Sequence, residues 1–135
     1  MENKLKHLEF IQNVITRMAA NSFLLKGWSV TLASATFALA AKDSNQAFAI
    51  IAYIPIVTFW LLDGYFLSQE RQYRDLFTVI AAKDETLIDF CMDASACEKG
   101  DNTWSSSCFS KTLRIFHGCL IVITLIVIGA IPQLK

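Results

Sequence analysis

The chain has 135 residues, 54% of them hydrophobic and 18% charged, with twelve basic side chains balancing twelve acidic ones. That length leaves room for one domain, and a zero net charge offers no basic face or stripe for nucleic acid. The apolar residues are not spread evenly but gather in three blocks, each long enough to cross about 30 Å of hydrocarbon.

Residues 1–20 read as an amphipathic helix. Leu5, Leu8, Ile11, Ile15 and Met18 recur on one face at steps of three and four, while Lys4, His7, Glu9, Asn13, Thr16 and Arg17 take the remainder. Such a face suits the headgroup plane, a helix of another protein, or the body of this same chain. The first predicted span is 22–41. It is rich in small residues, with Gly27, Thr31, Ser34 and Ala38 on one track and Ser29, Ala33, Thr36 and Ala40 on another. Small residues let membrane helices approach closely, so this span is expected to face the middle of a bundle and to offer a surface for oligomerisation. The pattern also imitates a signal peptide. The long amphipathic leader and Lys26 within the apolar run favour an uncleaved segment.

The polar residues 42–46 make a tight turn, with Asp43 or Ser44 available as a cap. The second predicted span is 47–67, bent by Pro55, which removes one helix hydrogen bond. Helical periodicity then continues. Tyr73, Leu76, Phe77, Ile80, Leu87, Ile88 and Cys91 hold an apolar stripe that needs a partner, so 68–93 is predicted to be a cytoplasmic helical extension of the second span. Residues 94–111 have loop composition, with Trp104 as an anchor. The third predicted span is 113–131, ended by Pro132, and its run of branched aliphatic residues marks it as the one to face lipid. The predicted fold is therefore all-α, an integral membrane protein with three transmembrane helices.

The Lys and Arg residues set the orientation. Lys4, Lys6, Arg17, Arg71, Arg74, Lys83, Lys99, Lys111 and Arg114 fall on one side of this plan; Lys42 and Lys135 fall on the other. The positive-inside rule then places the N terminus in the cytoplasm and the C terminus on the opposite face, which in a bacterial inner membrane is the periplasm. Cys91, Cys97 and Cys108 lie on the reducing side and Cys119 in a span, which speaks against disulfides. Five and ten residues separate the first three, not the close pairs of structural zinc, so neither metal nor cofactor is expected.

Charges inside a span are costly and mark candidate sites. An antiparallel hairpin brings Lys26 and Asp63 to similar height, so these two are expected to pair. Trp28, Trp60, Tyr65, Arg71, Arg74, Arg114 and His117 form the aromatic and charged belt on the cytoplasmic side. No nucleophile elbow, phosphate loop or H-E-x-x-H occurs, which argues against an enzyme.

Residues 21–28, Asn-Ser-Phe-Leu-Leu-Lys-Gly-Trp, and 59–71, Phe-Trp-Leu-Leu-Asp-Gly-Tyr-Phe-Leu-Ser-Gln-Glu-Arg, resemble small bacterial inner-membrane proteins. The plan of a tight hairpin followed by a cytoplasmic helix is similar to that of SLATT-type membrane effectors of anti-phage defence, over about residues 1–93. The third span is an addition to that plan. The resemblance implies a homo-oligomer that perturbs the inner membrane when triggered, as a pore-forming or membrane-perturbing effector. Two alternatives stand beside it: a non-catalytic adaptor that recruits a soluble cytoplasmic partner through the 1–20 and 68–93 helices, and a small transporter subunit.

Overall fold

The computed structural model describes residues 1–134. Lys135, one of the two cations expected on the periplasmic side, lies outside the described residues. The fold is helical throughout, in the order α1 (Glu2–Asp43), α2 (Gln46–Ile51), α3 (Tyr53–Ala82), α4 (Trp104–Cys108) and α5 (Lys111–Ala130), with short 3-10 turns between α3 and α4 and at the end. Three helical stretches, Glu2–Asp43, Gln46–Ala82 and Lys111–Gln133, are long and apolar enough to cross a membrane.

The boundary expected near residue 21 is absent. The amphipathic 1–20 segment and the small-residue segment 22–41 are one helix of 42 residues. At 1.5 Å per residue α1 is roughly 63 Å long, about twice the hydrocarbon thickness of a bilayer. The 20-residue α5 is roughly 30 Å long, one bilayer thickness. Three helices therefore run side by side at the apolar end, and only α1 and α3 continue into the polar end.

Between α1 and α2, Ser44 takes a left-handed conformation at φ 49° and ends α1, its N–H bonded to the Ala40 carbonyl. Asn45, rather than Asp43 or Ser44, caps the next helix, its side-chain oxygen accepting from the Ala47 N–H at 2.9 Å. Helix pairing breaks at Ala52, three residues before Pro55. The proline ring supplies no N–H for the Ile51 carbonyl, so the bend expected in the second span is a short interruption at this point. The Gln46 side chain ties the turn to α5 by donating to the Ile128 carbonyl at 2.8 Å.

Small residues set the packing along one of the two tracks of α1. Ser29, Ala33 and Ala40 are buried, the last two among Ala49, Ala52, Ile56, Leu120 and Ile131. Gly27, Thr31, Ser34 and Ala38, the other track, are exposed on the outer side of α1. α3, not α1, is the helix against which α1, α4 and α5 all pack. As expected, α5 turns a greasy face outward, with Val122, Ile123, Leu125 and Ile126 exposed.

At the polar end, the extension of the second span stops at Ala82 instead of reaching residue 93. Lys83 and Asp84 are extended, Phe90 has φ 54°, and the chain folds back as a wrap over residues 83–103. The apolar stripe expected to bind a partner is covered from within the chain. Leu76 and Ile80 pack on Ile11 and Ile15 of α1 and on Ala94 and Cys97 of the wrap, with Tyr73, Phe77 and Ile88 beside them. Leu87 is left exposed. The lower half of α1 is thus a docked helix, the third of the roles open to its amphipathic face.

The wrap pairs its own backbone only through three short 3-10 turns, so several of its other carbonyls take donors from outside it. Lys4 donates to the Lys83 carbonyl (2.8 Å), Tyr73 to Met92 (3.0 Å), Arg71 to Asp101 (2.6 Å) and Ser68 to Asn102 (2.5 Å). His7, expected on the polar face of α1, is fully buried, with Nε2 donating to the Cys91 carbonyl at 3.0 Å and the ring against Phe90. The carboxylates of Asp89 and Asp93 brace the wrap by accepting the N–H groups of Cys91 and Ser95.

These bonds hold the Asp89 and Asp93 carboxyls below the usual range, the backbone N–H of Cys91 acting on the first and that of Ser95 on the second. A depressed carboxyl contributes stability above its unfolded pKa and loses it as pH falls through the folded value. Amide exchange over residues 83–97 should therefore accelerate as pH falls below about 4, after correction for intrinsic rates and before α1 and α3 open. Uniform protection of the wrap down to the pH of global unfolding would contradict this bracing.

Candidate functional site

Asp63 has no exposed surface, and side chains from two other helices converge on it. From α1, Ser22 donates a hydrogen bond to Oδ1, and Lys26 Nζ lies 2.6 Å from Oδ2. Lys26 also donates to the Ser22 hydroxyl at 2.9 Å, one helical turn away. From α5, His117 Nε2 lies 2.9 Å from Oδ2. A carboxylate only accepts, so Nε2 carries a hydrogen; Nδ1 is buried without a partner. One carboxylate gathers all three long helices.

The site has an aromatic wall. Trp60, three residues before Asp63, stacks on His117 with ring centroids 5.8 Å apart and planes 7° apart. Phe116 meets the same imidazole edge-on, and its ring also lies 5.9 Å from Lys26 Nζ. These rings shield the buried carboxylate and imidazole, which strengthens the ion pair and raises the cost of losing either partner.

α4 closes the site from the polar end. Trp60 Nε1 donates to the Cys108 carbonyl at 2.8 Å, and Trp104 Nε1 donates in return to the Leu61 carbonyl at 2.9 Å. Between these two clamps α4 approaches α3 at Gly64, where an added Cβ would lie 2.2 Å from Cys108 Sγ and 3.0 Å from its Cα. Only glycine fits there. Ser107, beside Cys108, is fully buried.

Of the residues singled out from sequence, Lys26, Asp63, Trp60 and His117 come together. The rest of the belt does not join them. Trp28 and Tyr65 are exposed, and so is Arg114. Arg74 pairs with Glu70 one turn back at 2.8 Å, and Arg71 holds the wrap. Sequence reasoning missed Ser22 and Cys108. Ser22 sits four residues before Lys26, a spacing that puts both on one helix face; nothing local marks Cys108, whose place follows from the chain reversal at 83–110.

Chemically, the cluster is an ion pair between a fully buried carboxylate and a partly exposed ammonium, with a histidine donor. Among the described residues no three His, Cys, Asp or Glu side chains are grouped as metal ligands.

Removing the Asp63 carboxylate leaves the Lys26 ammonium without its partner, and Asp63→Ala should cost about 3–5 kcal/mol of bundle stability. The Lys26→Met/Asp63→Ala double variant should recover a large part of that loss, read as a coupling energy from reversible unfolding in micelles. Strictly additive losses would show that the two groups do not act as a pair. Gly64→Ala should destabilise by about 1–3 kcal/mol through overpacking on Cys108, and the same assay would refute the close approach if it reports no change.

No protein family, curated protein or solved structure matches this chain, so the cluster around Asp63 comes with no relative whose chemistry could be carried over to it.

Proposed function

We propose that this chain is a multi-pass bacterial inner-membrane protein that self-associates through the outer face of α1, and that the oligomer perturbs the membrane when its polar end receives a signal. Three helices long and apolar enough to cross a membrane support the placement. The positive-inside rule orients it, with the polar end and N terminus in the cytoplasm and the C terminus in the periplasm. One observation carries the assembly. α1 has two small-residue tracks; the chain uses Ser29, Ala33 and Ala40 for its own packing and leaves Gly27, Thr31, Ser34 and Ala38 facing outward. In lipid, an open track of this kind favours close helix association.

The polar end is suited to receiving a signal because α1 and α3 run without interruption from it into the bundle. A partner or ligand that shifted the wrap would move both helices as levers about the Asp63 cluster. The likeness to SLATT-type effectors implies an oligomer that perturbs the inner membrane when triggered. The adaptor alternative finds less support, since Leu76 and Ile80 are already covered by Ile11 and Ile15. A transporter subunit would need a water path to Asp63, which has no exposed surface.

Crosslinking through cysteine at Ser34 in native membranes, scored beside uptake of an impermeant dye, tests the reading. Ser34→Cys should yield disulfide-linked dimers, and induced expression should admit the dye. Gly27→Leu/Ala38→Leu should reduce both at least fivefold while the protein still inserts. Monomers throughout, or dye uptake that is independent of the α1 track, would reject this function.

A further inference from the structure

We propose that the groove between α1 and α5 is a binding site for one anionic glycerophospholipid, its phosphate held by Lys26 and Lys111 and an acyl chain lying along the groove. The proposal rests on the membrane placement above but not on oligomerisation or pore formation. The groove has a volume of about 650 Å³ and is lined by Lys26, Val30, Lys111, Ile115, Phe116 and Ile123 among others. Both cations sit with Thr112 at the end nearest the start of α5, and the rest of the lining is largely apolar. That is the arrangement of a phospholipid, with charge at one end and hydrocarbon below.

Charge complementarity decides the headgroup. An ammonium has three N–H donors. Lys26 spends two on Asp63 and Ser22, and the side chain, 19% exposed, still lines the groove. Lys111 makes no ion pair among the described residues, so its charge is uncompensated at the groove mouth. Asp63 already balances Lys26, leaving a net charge of one, which matches a phosphodiester without a cationic headgroup. A zwitterionic lipid would bring its own ammonium against Lys111. Basic pockets between membrane helices on the cytoplasmic side are a recurrent form of anionic-lipid recognition. Arg114, on the same turn of α5 as Lys111, lies outside the groove lining and supplies a control for charge alone.

The test uses the full chain in vesicles of equal phosphatidylglycerol and phosphatidylcholine with identical acyl chains. After flotation and gentle detergent release, native mass spectrometry counts retained lipid. Retention should favour phosphatidylglycerol about fivefold, and Lys111→Gln should remove that preference, as expected for one juxtamembrane charge. Arg114→Gln should leave it intact, Ile123→Trp should lower retention of both lipids by filling the groove, and free glycerol phosphate should not compete. Circular dichroism shows whether each variant keeps its helices. Equal retention of the two lipids, equal losses with Lys111→Gln and Arg114→Gln, or displacement by glycerol phosphate would each overturn the site. Failure to float with vesicles would overturn the membrane placement and this site together, whereas monomeric, impermeant protein that still selects phosphatidylglycerol would leave it standing.

Discussion

A single desolvated carboxylate governs this fold. Burying Asp63 among three apolar helices would be prohibitive alone, and it is tolerated because Ser22, Lys26 and His117 each present a hydrogen-bond donor. Every donor comes from a different place on the chain than the acceptor, two from α1 and one from α5. The interaction therefore does more than neutralise a charge. It fixes the register of α1 against α3 and the rotation of α5 against both, because a helix turned or slid by one residue would leave a charge unpaired in a dry interior. Hydrophobic contacts between such helices tolerate sliding far better than this cluster does.

From that constraint the rest of the architecture follows in layers. Trp60 shields His117 and reaches Cys108, which brings α4 against Gly64. α4 in turn anchors one end of the wrap, whose carbonyls take donors from α1 and α3. The stretch from Phe59 to Arg74 is consequently a joint. Its first half belongs to the bundle and its second half carries Ser68, Arg71 and Tyr73, the residues that fasten the polar end.

Much of this was legible in the residues. Three apolar blocks separated by polar ones set the helices, and hairpin geometry put Lys26 and Asp63 at one height. His117 was visible as a charge at that depth, but its partnership with Asp63 depends on how α5 is rotated, which periodicity does not fix. Which of two equivalent small-residue tracks on α1 turns inward was likewise undetermined, because both have the spacing and size to pack. The end of α3 at Ala82 was missed for a different reason. Residues 83–93 retain helical periodicity, yet tertiary hydrogen bonds to His7, Lys4 and Tyr73 outweigh that local preference. His7 looked polar by type and is buried by partnership with the Cys91 carbonyl, a group 84 residues away in sequence.

One carboxylate holds both other long helices at once. Solid-state NMR of the protein in lipid bilayers, labelled at the Asp63 carboxyl carbon and at the Lys26 and His117 side-chain nitrogens, measures this directly. Dipolar couplings from that carbon to both Lys26 Nζ and His117 Nε2, consistent with N···O separations of 2.6 and 2.9 Å, are the result predicted. Coupling to only one nitrogen, or to neither, would contradict it.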